Sequence, residues 1–170
     1  MKYWVAISAA LLLGACATYE GRGLTPGTAR LEDVLRVMGE PARRWQDADG
    51  TLQLSYPRGP MGYHSYMVGL APDGTLQRIE NVMDEAFFAR IRPGMDMEQV
   101  TRTLGPAYPG WTVYFKARDE LVWEWRYCDV ASHASRFNVL FDNSTGTVRS
   151  TLAMTEEQRG LCKWQCTCGR

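Results

Sequence analysis

Five cysteines and two histidines carry most of the reactive chemistry available to this 170-residue chain. Cys128, Cys162, Cys166 and Cys168 fall in its last part, and Cys16 stands apart near the start. An even set of four in an exported chain favours two disulfides. Cys162-x-x-x-Cys166-x-Cys168 is dense enough to suggest a metal site, but zinc ligands are usually spaced two or more residues apart in both pairs, which this tail does not match. No metal ligand set is therefore expected. Spacing leaves the connectivity open, and free or intermolecular thiols remain the alternative. Cys128 ties the tail to the body of the protein only by pairing within it.

The histidines offer less. His64 and His133 lie in Gly-Tyr-His-Ser and Ala-Ser-His-Ala-Ser surroundings, each just before an apolar strand pattern. No carboxylate or thiol sits at ligand spacing from either. Ser132 and Ser135 beside His133 do not make a triad, which needs an orienting acid brought close in space. The chain has neither a glycine-rich phosphate loop after a strand nor a His-Glu-x-x-His helix. Asp47, Asp49 and Asp73 stand where turns need them, and Asn143-Ser144-Thr145 reads as a turn. These features predict a protein that is not an enzyme and uses no cofactor.

Nineteen basic and nineteen acidic residues cancel, so no electrostatic footprint for nucleic acid is present. The feature that could mark a partner surface is aromatic. Trp111, Tyr114, Phe115, Trp123, Trp125 and Tyr127 crowd one region, and tryptophan and tyrosine are enriched at binding hot spots. The same residues would also fill a thin core, and period-2 spacing alone does not separate the two readings. Trp111, Tyr114, Trp123 and Trp125 are the partner-binding candidates, with Trp111 beside Gly110 expected to be the most exposed.

The elements that position these residues begin after a segment of a different kind. Residues 1–15 join a positive start at Lys2 to an apolar run from Trp4 to Leu13 and end in small residues, the pattern of a secretory signal. The run is short of the roughly 20 residues that span a bilayer. Residues 16–23 then read as a linker.

The rest of the chain repeats itself. Leu24-Thr25-Pro26-Gly27 opens one segment that runs to Gly39-Glu40-Pro41, and Ile91-Arg92-Pro93-Gly94 opens another that runs to Leu104-Gly105-Pro106. Leu31, Val34, Leu35 and Met38 mark one helical face, and Met97, Val100 and Leu104 mark a second. Asp96 with Gln99 forms a capping-box pattern, and Gly39 and Gly105 suit left-handed residues that end a helix. Asp84 to Arg90 reads as an extra helical turn or two. Strand patterns follow each helix: 51–56, 66–70 and 75–81 in the first half, 121–127, 137–141 and 147–152 in the second. Asp73-Gly74 and Asn143 to Gly146 are the hairpin turns. In 121–127, Leu121, Trp123, Trp125 and Tyr127 face one side and Val122, Glu124 and Arg126 the other.

The expected fold class is α+β: two tandem helix-helix-three-strand units, helices packed on an antiparallel sheet. The units are placed at 24–83 and 84–154, followed by a cysteine-rich tail at 155–170.

Two resemblances extend this reading. Leu13-Gly14-Ala15-Cys16 resembles the bacterial lipobox, which implies cleavage before Cys16 and lipid on its thiol and new amine. Several alkyl chains, at about 0.8 kcal/mol per buried CH₂, would anchor the protein stably. Ala17 at the next position implies the outer membrane, with the protein facing the periplasm. Ile91-Arg92-Pro93-Gly94-Met95-Asp96-Met97-Glu98-Gln99-Val100 with Leu104-Gly105-Pro106 resembles the SmpA/OmlA family of BamE-like lipoproteins. That resemblance covers the second unit well and the first loosely. It implies a non-enzymatic scaffold or assembly factor for envelope and outer-membrane proteins, with a periplasmic or outer-membrane protein as partner. The tandem arrangement is also similar in architecture to the β-lactamase inhibitor proteins. That likeness implies a capture or inhibitor module using both units.

Overall fold

The computed structural model of the chain describes residues 20–163 and 166–169. The signal segment, Cys16 and Ala17 lie outside them.

The first half places one helix, α1 (Leu31–Met38), before four strands: β1 (Arg43–Gln46), β2 (Leu52–Pro57), β3 (Ser65–Leu70) and β4 (Leu76–Asn81). The second half opens with α2 (Glu85–Phe88) and α3 (Met97–Leu104), then adds β5 (Val113–Phe115), β6 (Glu120–Cys128), β7 (Ala134–Asp142) and β8 (Thr147–Thr155). All strand pairs are antiparallel, and the strands form two separate sheets in the orders β1-β2-β3-β4 and β5-β6-β7-β8.

This corrects the expected fold class. The helix-helix-three-strand unit does not describe either half, because strands dominate and helices are few and short. α2 is four residues long, and α1 and α3 are eight each. Each sheet gains a fourth strand at its edge, β1 or β5. The architecture is therefore two four-stranded antiparallel sheets with short helical insertions, not two BamE-like units of helices on a sheet. The physical reason lies at those edges. Arg43–Gln46 is mostly exposed and Val113–Phe115 wholly so, and a strand that buries almost nothing shows no inward-outward alternation.

Local chemistry explains the helices that do form. Asp96 accepts from the Gln99 backbone N–H at 2.8 Å while the Gln99 side chain accepts from Asp96 N–H at 2.9 Å, closing the capping box at α3. Asp84 caps α2 by accepting from Ala86 N–H at 2.7 Å. Gly39 and Gly105 end α1 and α3 with φ of 81° and 78°, and with ψ of −164° and 170° rather than the left-handed helical value.

Two apolar clusters fill the interior. Val34 and Met38 of α1 join Leu54, Tyr56, Val68, Leu70 and Leu76 on one side of the first sheet. Val100 and Leu104 of α3 join Phe88, Trp125, Tyr127, Phe137, Val139 and Phe141, and the same cluster takes in Met67 from β3. α3 thus lies between the sheets and touches both. Gln53 of β2 donates to the Arg102 carbonyl at 2.9 Å, Trp45 of β1 donates its indole N–H to Glu98, and Arg102 pairs with Asp47 at 2.8 Å. The two halves share a core across the residues where the sequence suggested a boundary, with Val82 and Met83 buried in it.

Candidate functional site

The strict alternation of β6 divides the aromatic candidates. Trp125 is buried, and its indole N–H donates to the Gly105 carbonyl at 3.1 Å. Trp123 packs against the same core, with its ring 4.8 Å from Phe141 and 6.2 Å from Trp125. Both point toward α3. Trp111 and Tyr114 lie elsewhere. Tyr114 is exposed on β5 and donates its hydroxyl to Asp119 at 2.8 Å. Trp111 closes a short 3₁₀ turn, Pro109–Trp111, and is half-buried with the Arg136 guanidinium 3.9 Å from its ring centre.

Pairing puts Val122, Glu124 and Arg126 of β6 on the opposite face, in register with Leu140, Asn138 and Arg136 of β7. No described α-helix covers this face. It carries a cavity of about 230 Å³ walled by Trp111, Val113, Phe115, Val122, Leu140 and Leu152. Val113, Phe115 and Leu152 remain exposed along it.

Charged groups border the apolar walls and run underneath them. Arg126 and Arg136 face one another across the β6–β7 pair, where two like charges would repel. Glu156 separates them: it accepts from Arg126 Nε and Nη2 at 2.7 and 2.8 Å and from Arg136 Nε at 2.6 Å. Arg136 also donates to Glu124 at 2.9 Å, and Arg159 pairs with the second oxygen of Glu124. The result is a ladder of Arg126, Glu156, Arg136, Glu124 and Arg159, with both carboxylates buried. Burial pushes the Glu156 carboxyl up, but hydrogen bonds and charge from Arg126 and Arg136 outweigh it and leave its pKa lowered. At the other end of the cavity Arg118 stands 2.8 Å from Glu120 Oε1, close as an ion pair but without hydrogen-bond alignment.

Sequence reasoning missed this ladder. Its one legible sign was the outward-facing Glu124 and Arg126 on a strand whose other face is aromatic. The tail that supplies Glu156 and Arg159 had no pattern to attach it there.

The four late cysteines are paired, Cys128 with Cys168 and Cys162 with Cys166. The first bridge returns the tail to the β6–β7 end, where Cys168 N–H donates to the Ser132 carbonyl at 2.9 Å and Thr167 bridges to His133. The His133 ring lies 3.3 Å from Asp129, and His64 stacks on Tyr66. The histidines therefore occupy separate places, one in each half.

No family model matches the chain, and no curated protein does. Among solved structures it is similar to an extracellular protein containing an SCP domain from Bacillus anthracis str. Ames. That similarity has 14% identity and a TM-score of 0.27, and covers 76% of this chain and 44% of the other. The chain thus spans less than half of that protein.

Proposed function

We propose that this chain is a non-enzymatic lipoprotein of the outer membrane, anchored through lipid on Cys16 and facing the periplasm, that scaffolds or helps assemble envelope proteins by holding a protein partner. The observation that carries the reading is the outward face of the second sheet, which no α-helix covers among the described residues. There a contiguous apolar surface of Trp111, Val113, Phe115 and Leu152 is rimmed by fixed ion pairs. Surfaces that join exposed apolar area to a polar rim serve interaction in soluble domains. The membrane part rests on the lipobox-like Leu13-Gly14-Ala15-Cys16 and Ala17.

A second reading is a capture or inhibitor module that uses both halves at once. The shared core around α3 favours it, since Met67 of the first sheet and Trp125 of the second lie in one cluster and the halves would present their surfaces as a unit.

Crosslinking in intact cells followed by mass spectrometry, with wild type and Cys16→Ala, tests both. Crosslinks to outer-membrane proteins or their assembly components that disappear with Cys16→Ala support the scaffold. A soluble periplasmic partner retained by Cys16→Ala supports capture. A protein with no crosslinked partner in either form would sink both readings.

A further inference from the structure

β8 is an edge strand of the second sheet and is nine residues long. Just past it, Glu156 N–H donates to the Ala134 carbonyl at 2.8 Å, so Glu156 turns its backbone toward β7. In an antiparallel ladder bonded and non-bonded pairs alternate, and the residues of the non-bonded pairs turn their groups away. The register sets Thr155 opposite Ser135, Ala153 opposite Phe137 and Thr151 opposite Val139, so these three face outward along the edge.

The lane beside β8 is already filled at both ends. Val148 donates to the Met95 carbonyl and accepts from Gly94 N–H, each at 2.8 Å, and Asp96 is bridged to Thr147. At the other end Thr155 N–H donates to the Gln158 side chain at 2.9 Å, and its carbonyl accepts from Arg159 N–H at 3.1 Å. Between these ends, the outward N–H and C=O of Thr151 and Ala153 have no partner among the described residues. Residues 149–153 are all exposed.

The other sheet edges are guarded. β1 carries Arg43 and Arg44, β4 carries the ion pair of Arg78 with Glu80 at 2.9 Å, and β5 is three residues long. Charge and shortness deter an edge from pairing with another chain. The stretch from Ser150 to Ala153 has no charge, and Arg149 beside it is held by Asp142 at 3.1 Å.

We infer that the open stretch of β8 takes up a short extended segment of a partner protein as a fifth strand of the second sheet, bonded through the backbone of Thr151 and Ala153. This rests on the protein-binding reading above and names the kind of segment that is bound.

The lane decides what fits. Residues 149–154 lie between its filled ends, about 20 Å at about 3.4 Å per residue, so an incoming segment pairs over about five residues. A second copy's β8 is too long. A two-fold at Leu152 would set Thr151 opposite Ala153 of the other copy, and Glu156 of that copy would then fall opposite Val148, where Met95 already sits. A helix bonds its own backbone groups and would leave those of Thr151 and Ala153 unmet. An extended segment meets them with main-chain bonds, as strand addition at a sheet edge does. Its side chain beside Leu152 lands on the apolar surface that Leu152 shares with Leu140 and Val122. Those beside Thr151 and Ala153 meet no charge in β8. The bound segment is therefore uncharged and apolar at its middle, a chain terminus or loop tip that leaves the lane at each end.

The test uses the full chain in intact cells, with a photo-crosslinking amino acid placed in turn at Ser150, Thr151 and Leu152. The expected result is that all three join one short segment of one protein, positions 150 and 152 reaching residues two apart and position 151 the residue between. Ala153→Pro removes an outward N–H and puts a ring in the lane while every bond to β7 stays, an orientation in which edge strands accept proline. It should cut the yield from position 152 about tenfold, through the lost main-chain bond and the blocked lane, with an unchanged melting midpoint. Thr151→Lys is the second variant should the proline unfold the chain, because a charge on an open edge deters pairing. A yield that survives in the folded variant overturns the inference. So do crosslinks to residues three or four apart, which mean a helix, and crosslinks to lipid or to a second copy. Silence at these three positions, while surface-wide crosslinking still finds a partner, refutes the strand seat and leaves the protein-binding reading standing. Silence in both experiments refutes both.

Discussion

Trp125 of β6 donates its indole N–H to the carbonyl of Gly105, 3.1 Å away, at the point where α3 ends against both sheets. One side chain thus fills the core of the second half and satisfies the last turn of the helix that joins the halves. A carbonyl buried there without a donor loses hydration and gains nothing in return.

Replacing Trp125 by Phe keeps most of the apolar bulk and removes the donor. The expected cost is about 1–3 kcal/mol, the penalty for a buried acceptor left without a partner. Trp125→Ala adds the lost packing and should cost about 3–5 kcal/mol. Urea midpoints for the two variants separate these contributions. A Phe variant as stable as wild type would show that the carbonyl finds another donor.

The ladder on the opposite face predicts a pH dependence. The folded pKa of Glu156 is lowered from its ordinary value of 4.5. A carboxyl with a depressed folded pKa contributes stability that is complete above the unfolded value and is lost as pH falls through the folded value. Glu156→Gln should therefore cost about 3–5 kcal/mol near neutral pH, because Arg126 and Arg136 are left facing one another without their shared carboxylate. The difference in melting temperature between wild type and Glu156→Gln should shrink on acidification below about 4.5, where a free glutamate protonates. A difference that stays constant down to pH 3 would exclude this account.

The two disulfides should contribute unequally. Cys128 and Cys168 are 40 residues apart, whereas Cys162 and Cys166 are separated by 4. Chain-entropy arguments assign about 4 kcal/mol to a loop of the first size and about 2 kcal/mol to one of the second. Cys128→Ser with Cys168→Ser should lower stability by about 2–5 kcal/mol. Cys162→Ser with Cys166→Ser should lower it by no more than about 2 kcal/mol. Equal losses from the two double variants would mean that the short loop orders the tail by contacts instead.

Much of the framework was legible because local signals and burial agree. The capping box at Asp96, the apolar pairs Val34 with Met38 and Val100 with Leu104, and the turns at Asp73-Gly74 and Asn143–Gly146 all stand where pattern placed them. The alternation along 121–127 correctly divides a core face from an outward face. What pattern misjudged was the balance of helix and strand. β1 and β5 bury too little to alternate, so the four-stranded sheets read as three-stranded ones and the helices were given too much weight. The ladder was hidden for a different reason. Glu124, Arg126 and Arg136 look like solvated residues in sequence, and they are buried by groups distant along the chain: residues 156–159 returning over the sheet, Trp111 on Arg136 and Tyr63 on Arg126.

The two helix-ending glycines provide a comparison in which one position serves as control for the other. Gly39 and Gly105 share a positive φ with an extended ψ, a backbone region that is almost closed to other residues and costs about 1–3 kcal/mol to impose. Their surroundings differ. A Cβ on Gly39 would meet nothing within 4 Å, whereas one on Gly105 would lie 2.8 Å from both Ser55 Oγ and Ser65 Oγ. Ser55 and Ser65 are buried in β2 and β3, so their hydroxyls must turn into packed surroundings or the first sheet must give way from α3. Gly39→Ala should therefore show the backbone cost alone, and Gly105→Ala that cost plus the cost of displacing the two serines or the strands that carry them. The expected order is a loss of about 1–3 kcal/mol for the first and a clearly larger one for the second, read from denaturant midpoints. Equal losses would mean that the contact of Gly105 with Ser55 and Ser65 yields without penalty, and that α3 is not held tightly against the first sheet at this point.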